Sequence, residues 1–403
     1  MPEGWALSTV IDVFQINPKN YADDATEAGF VPMTNISDGF DDRFSFELKP
    51  WKSIKTGFTH FRNGDVAVAK ISPCMENRKS FVVRRLPQEI GAGTTELFVF
   101  RSRQIVPEYG LLFFKSEFFI LNCVGSFNGV VGQQRVARRT IEEMPFPIPP
   151  VAEQKRIIQR VGSIFRMISE VEKSQIALKD GIEKSKARIL DLAIHGKLVR
   201  QNPSDEPATA LLKRINNDYQ PSHNLHYEGE LPNGWCFSTI GDLFHHNTGK
   251  ALNGRDQNGQ ELRYITTSNL YWDRFDLTKT RTMLFTETEQ EKCRAVKGDL
   301  LVCEGGDIGR AAIWPYDFDV MIQNHIHRLR PKDDISVRFF YYIFLFYKQK
   351  GLIGGKGIAI LGLSSREMDK MVVPVPPVPE QHRIVNVIEN LFTQIDALAF
   401  NLS

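Results

Sequence analysis

From Glu153 onward apolar residues recur at alternating steps of four and three, at Ile157, Val161, Ile164, Ile168, Val171, Leu178, Ile182, Ile189 and Leu192. That spacing draws one apolar stripe along a helix and is the pattern of a coiled-coil seam. Only Gln175 and Ser185 interrupt it, and a polar residue at such a position lowers stability while fixing register or partner number. A second stretch repeats the steps at Ile384, Ile388, Leu391, Ile395, Leu398 and Leu402, with Leu402 standing where Gln175 stands in the first. The plainer alternative is a pair of amphipathic helices on a globular core, but a heptad spacing kept from Ile157 to Leu192 favours the coiled coil. Each apolar layer buries side chains worth about 1.5–3 kcal/mol apiece, so the helices pair rather than stay solvated. One helix leaves a domain and the other starts from a second domain. Pairing within the chain therefore predicts an antiparallel arrangement with the domains at opposite ends, the first rod being roughly 50 Å long at 1.5 Å per residue.

Elsewhere the period changes. VAVAKI from Val66, LFVFRS from Leu97, LLVCE from Leu300 and MVVPV from Met371 are short β-branched and aromatic runs bounded by Gly, Pro and Asn, and they predict strands. SVRFFYYIFLFYKQ from Ser336 predicts one of the few helices among them.

The two patterns are repeated as a set. PEGWALSTVIDVF from Pro2 is matched by PNGWCFSTIGDLF from Pro232, NGDVAVAK around Asp65 by KGDLLVCE around Asp299, and PIPPVAEQKRI from Pro147 by PVPPVPEQHRI from Pro374. A period this long marks a duplication and not a solenoid. The chain divides into a mixed domain at 1–146, a proline joint with the first spacer helix at 147–196, and a linker with a short helix at 197–230. A second mixed domain follows at 231–373, then a joint with a shorter spacer helix at 374–403. Proline fixes the backbone and is tolerated where a helix begins, so each joint sets the angle between a domain and its rod. The repeated Glu153 and Glu380 oppose the positive end of each helix.

Composition narrows the classes. The chain has 403 residues, 42% hydrophobic and 24% charged, an ordinary globular balance that suits two domains. It holds no run of about 18 apolar residues and no signal-like start, which predicts a cytoplasmic protein with no membrane contact. The five scattered cysteines never form C-x-x-C, which argues for reduced thiols and against a zinc site. Net charge is only +2, so any phosphate-binding face must come from clustering. The basic excess sits in 151–200, with eleven basic against six acidic side chains.

PPVAEQKRI, the stretch ILDLAIHGKLVRQNPSDEPATALLKRI after the first rod, LPNGWCFSTIGDLF, and AKISPCMENRK followed by TTELFVFRS together resemble the specificity subunits of type I restriction-modification systems. The resemblance covers essentially the whole chain. It implies an α+β fold: two homologous mixed α/β target-recognition domains joined by two long helices that form an antiparallel coiled coil. Each domain would read one half of a bipartite, asymmetric site in double-stranded DNA, the half-sites lying about one helical turn, roughly 34 Å, apart. The partners implied are two methyltransferase subunits, which would carry S-adenosylmethionine, and motor-nuclease restriction subunits held through them. Chemistry would belong to those partners. This agrees with the sequence, which lacks a G-x-x-x-x-G-K-[ST] phosphate loop and an Asn-Pro-Pro-aromatic stretch, so no catalytic residue, metal site or cofactor of its own is expected. The chain departs from the pattern where the second rod stops at Ser403, without a counterpart of DLAIHGKL. An antiparallel partner of that length leaves Ile157, Val161, Ile164 and Ile168 uncovered within the chain. A methyltransferase helix, a second copy of the chain or further residues of its own would fill that groove.

Candidate DNA contacts are chosen by chemistry. GVVGQQRVARRTIEEM carries Gln133, Gln134, Arg135, Arg138 and Arg139, side chains able to bond base edges or phosphates, with a solvated surface strip as the bland alternative. Asn77, Arg78 and Lys79 fall in a turn between strands. Lys356 and Arg366 flank the Gly-rich stretch of the second domain, and Asn269, Arg274 and Arg310 lie in its loops. His325 and His327 have the spacing of two ligands on one strand face, yet a pair without a third ligand is more simply structural. Asp65 and Asp299 are better explained by Gly-Asp turns than by a metal nuclease. A coiled-coil scaffold for proteins, or a stand-alone DNA methyltransferase or nuclease, are the alternatives to a DNA-reading subunit.

Overall fold

A computed structural model describes residues 1–126, 134–222, 227, 229–252, 258–353 and 363–402. The chain divides into two units, Met1–Glu172 and Lys173–Ser403.

In the first unit the predicted strands form. Val66–Ala69 and Leu97–Arg101 are the centre of an antiparallel sheet whose edges are Gln15–Ile16 and Ser80–Val82. Every residue of Val66–Ala69 is buried, as a run that is apolar on both faces requires. A second sheet runs Glu47–Pro50, Glu27–Val31, Ile90–Gly93, Thr59–Arg62, with Glu27–Val31 parallel to Ile90–Gly93. That parallel pair depends on glycine at Gly91, where a Cβ would lie 2.3 Å from the Gly29 carbonyl oxygen. Finally Ala6–Thr9 pairs antiparallel with Pro145–Ile148, which closes the domain at the proline joint.

The second unit repeats this order. One sheet runs Phe244–Thr248, Ile326–Pro331, Leu300–Cys303, Ala311–Ile313, and the other Arg281–Phe285, Gln260–Ile265, Val320–Ile322, Arg294–Ala295 with its middle pair parallel. Cys236–Thr239 closes on Val372–Val375. The predicted helix is Val337–Gln349. Duplication is therefore visible strand by strand.

The helix predicted after the first joint spans Val151–Ile194, and its counterpart Val378–Leu402. Within the second unit the two run antiparallel. Lys186 bonds Asp396 at 2.5 Å and sits over the Phe392 ring, while Leu190 and Ile194 share a core with Ile384 and Ile388. Ile384 and Ile388 are buried, Leu391, Ile395, Leu178, Ile182, Ile189 and Leu192 half-buried, and Leu398 exposed; the Leu402 side chain lies outside the described residues. The deepest positions of the first helix here are Leu190, Ala193 and Ile194, displaced from the heptad seam because this end packs on a domain core and not on one helix.

In the first unit the expectation for Ile157 is corrected. It is half-buried, and with Ile158 it packs against the core of Phe114, Phe146 and their neighbours. The helix lies on its own domain before it leaves it. Val161 is half-buried, whereas Ile164, Ile168 and Val171 are exposed by 43%, 47% and 57%, with Met167 beside them at 58%.

Candidate nucleic-acid interface

The two candidate strips of the first domain lie side by side. An isolated bridge pairs Ile71 with Arg135, and the Ser72 amide donates to the Gln134 carbonyl at 2.9 Å. The Ile71–Ser72 segment that leads into the CMENRK turn is thus paired with Gln134 and Arg135. Arg135 makes a two-pronged contact with Glu96, 2.8 Å at each prong, and its guanidinium holds the Glu96 carboxyl below the usual range. Arg138 and Arg139 lie on the helix Arg138–Glu142 and pair with Glu142 and Glu143 one turn on. Exposed pairs of this kind contribute little to stability, so a phosphate can compete for these cations. Gln133 lies outside the described residues.

The turn residues divide. Asn77 is exposed. Lys79 donates instead to the carbonyls of Met33 and Ile36, and Arg78 to that of Lys115 while stacking over Phe40. The Lys115 ammonium closes the knot from within, bonding the carbonyls of Gly39, Asp41 and Arg78 at 2.7–3.0 Å. Burial lowers its pKa to about 8.

In the second domain three candidates gather on the hairpin Leu270–Tyr271/Arg274–Phe275. The Tyr271 ring has the Arg274 guanidinium 4.6 Å away and that of Arg310 5.4 Å away. Arg274 is exposed, whereas Arg310 is half-buried and also donates to the Thr267 carbonyl. Asn269 is buried and serves the loop itself, accepting from Thr266 and donating to the carbonyls of Asp276 and Lys279. Arg366 is exposed on Ser365–Lys370, and Lys356 lies outside the described residues.

The histidines separate as well. His325 is exposed beside Glu304, while His327 is buried with Nε2 2.6 Å from the Leu363 carbonyl and Nδ1 2.8 Å from His246 Nε2. A carbonyl only accepts, so the neutral ring carries its proton on Nε2. Burial pushes its pKa down to about 4. His246 Nδ1 in turn meets Asp369 at 2.7 Å. Among the described residues no group of three His, Cys, Asp or Glu is placed to hold a metal ion, and none of the helices is long and apolar enough to cross a membrane.

Asp65 and Asp299 are buried turn anchors. Asp65 accepts from the Arg62 amide and from two nitrogens of Arg101; Asp299 accepts from the Val296 amide and two nitrogens of Arg330. The equivalence of Arg101 and Arg330 was legible in the repeat only once the strands were paired.

Sequence reasoning missed the glutamines of the joints. Gln154 and Gln381 are both buried. Gln154 Oε1 accepts from the Val106 amide and its Nε2 donates to the Pro149 carbonyl. Gln381 does the same with the Ser336 amide and the Pro376 carbonyl. Glu380, expected as a charge opposing the positive helix end, is also buried, accepting from Gln201, and burial raises its pKa.

The sequence pattern described as Type I restriction modification DNA specificity domain matches residues 2–179 and again 232–401. The chain is similar to the type I restriction enzyme EcoAI specificity subunit of Escherichia coli, 28% identical over 473 aligned residues that cover 99% of this chain and 79% of that protein. It is similar also to the EcoEI specificity subunit of Escherichia coli, 27% identical over 477 residues, covering 100% and 80%. In fold it is similar to the HsdS subunit from Thermoanaerobacter tengcongensis, with a TM-score of 0.66 at 18% identity, covering all of this chain and 93% of that one. A chain from a structure on complex assembly and conformational transition of a type I R-M system gives 0.67, also at 18% and with the same coverage. The two matched segments correspond to the two repeat copies, each taking in a mixed domain, its joint and, in the first copy, the spacer helix as far as residue 179. The chain belongs to the type I restriction modification DNA specificity family, whose members are the non-catalytic specificity subunits of type I restriction-modification systems.

Proposed function

We propose that this chain reads a bipartite DNA sequence, one half-site per mixed domain, on behalf of methyltransferase and restriction subunits that supply the chemistry. Specificity subunits assemble with DNA and the other subunits of a type I complex; the finer reading is that two methyltransferase subunits dock on the spacer helices and the restriction subunits join through them. The observation that carries this is the duplication. Two domains share one strand order and one joint, yet the exposed polar side chains they carry differ, with Asn77, Arg135 and Arg138 on one and Arg274 on the other. A shared scaffold with different exposed side chains is what reading two unlike half-sites requires, because base contacts specify while phosphate contacts position. The exposed stripe of Ile164, Met167, Ile168 and Val171 supports docking of a partner helix on the first spacer. S-adenosylmethionine belongs to the methyltransferase in this reading, and the complex works in the cytoplasm, where chromosomal DNA lies.

The test is to express the chain with its methyltransferase subunits in a host lacking adenine methylation and to map methylated adenines. A single split sequence with a fixed gap is expected, with binding that weakens steeply as salt rises. Methylation without sequence preference, or an unsplit site, would refute the reading. Methyl transfer or cleavage by the chain alone would restore the enzyme alternative.

A further inference from the structure

Resting on that reading, we infer that Gln154 and Gln381 are the residues that fix the gap between half-sites, by locking each recognition domain to its spacer helix at one angle. Each glutamine belongs to the first turn of a spacer helix and reaches out of it in two directions. Its Oε1 takes the amide of the residue that caps a domain helix, Val106 before Pro107–Phe114 and Ser336 before Val337–Gln349, at 2.9 Å in both copies. Its Nε2 gives to a proline carbonyl of the joint, Pro149 or Pro376, again at 2.9 Å in both. A side-chain amide presents donor and acceptor in one plane, and here an N–H faces one end and a carbonyl the other, so its orientation is forced.

The repeat supplies a control within the molecule. What surrounds the two glutamines differs. In the first copy Tyr109 braces the joint by bonding the Pro147 carbonyl. In the second the brace is Arg338, which joins the domain helix to Glu389 on the second spacer helix. The capping residues themselves are a valine and a serine. The glutamine clamp, by contrast, is common to both copies, down to its distances. With 1% and 0% exposure, neither amide has water to fall back on. Any tilt that parts an amide from its partners therefore strands buried polar groups on both sides, which is costly compared with the small net gain of making the bonds.

Geometry turns this local lock into a specificity device. A domain of this size is on the order of 35 Å across, so a tilt of about 6° at its joint moves the far surface by roughly 3.5 Å, about one base-pair step. Holding a gap to the base pair thus requires a joint stiff to a few degrees. The glutamines are positioning residues in this account and touch no DNA.

The test uses the full chain in complex with its methyltransferase subunits. The duplexes carry the two half-sites found by methylation mapping, with the gap lengthened and shortened in single base-pair steps. Gln154→Met and Gln381→Met keep the volume and remove both bonds; Gln154→Glu and Gln381→Glu keep the acceptor and serve if the methionine forms do not fold, as judged by circular dichroism. The expected result is a wild type with a sharp optimum gap and variants whose preference over a gap one base pair off falls by about fivefold, the effect of one lost hydrogen bond of average strength. Folded variants that keep the wild-type profile, or that weaken equally at every gap, overturn the inference, because a merely structural role predicts uniform loss. A wild type indifferent to the gap would instead refute the bipartite reading itself, so the two failures are distinguishable.

Discussion

Replacing Asp65 by asparagine tests how the recognition domains are held together. The carboxylate is 1% exposed, and its three donors, the Arg62 amide and two nitrogens of Arg101, lie at 2.7–2.8 Å. Asparagine keeps one acceptor oxygen but loses the charge, and it turns an amide toward Arg101. Removing one partner of a buried pair costs about 3–5 kcal/mol, because the other charge stays buried. Arg101 is 14% exposed and keeps a bond to Asn20 at 2.9 Å, which puts the cost near the lower end, about 3 kcal/mol. The duplicate gives the comparison. Asp299 is equally buried, but Arg330 is 37% exposed, so water takes up its freed charge and Asp299→Asn should cost only about 1–2 kcal/mol. Native-state hydrogen exchange reads each domain separately. Asp65→Asn should speed exchange in Val66–Ala69 by about a hundredfold, and Asp299→Asn should speed it in Leu300–Cys303 by about tenfold. The double variant Asp65→Asn, Arg101→Met should lose less than the sum of the single ones. Equal effects in the two domains, or exchange in the first within threefold of wild type, would refute the argument from burial.

Acid should weaken the second domain through His327. Its folded pKa of about 4 lies below the ordinary 6.5, so its contribution is complete above pH 6.5 and is lost as pH falls toward 4, by up to about 3 kcal/mol. Urea midpoints at pH 7 and 4.5 should converge in His327→Gln relative to wild type, and parallel losses would count against it. Ile168→Glu and Val171→Glu sit on the exposed stripe and should change stability by no more than about 0.5 kcal/mol while abolishing co-elution with methyltransferase subunits on size exclusion; retained co-elution would place the docking surface elsewhere. Arg135→Ala should relax discrimination at one base pair by about 1–3 kcal/mol, read from methylation profiles, whereas weakening that is uniform over all sequences would make it a phosphate contact.

The legible part of this chain was what repeats and what alternates. Strands such as Val66–Ala69 and Leu300–Cys303, both spacer helices and the joint between each domain and its rod follow from local pattern, because a buried strand or an apolar stripe needs many residues to agree. Single polar side chains were harder. Lys79 and Asn269 carry the donors that would suit DNA, but a loop that must hold its own carbonyls needs the same donors, and only the fold tells the uses apart. The heptad steps likewise misjudged both ends of the first spacer helix, at Ile157 and at Leu190, since a helix resting on a domain core buries a wider face than one resting on another helix. The joint was the exception, where the sequence held more than was taken from it. A carboxylate in the first turn is explained by the helix dipole, and that reasoning suits Glu153, whereas Glu380 is buried against Gln201. The dipole says nothing for the residue after each, because an amide carries no charge for it to act on. A glutamine repeated 227 residues apart beside two prolines, whose missing N–H groups leave the joint's carbonyls without the usual partners, points to a hydrogen bond that leaves the helix. Its acceptor half remained to be found, and burial located it at the cap of a domain helix in both copies.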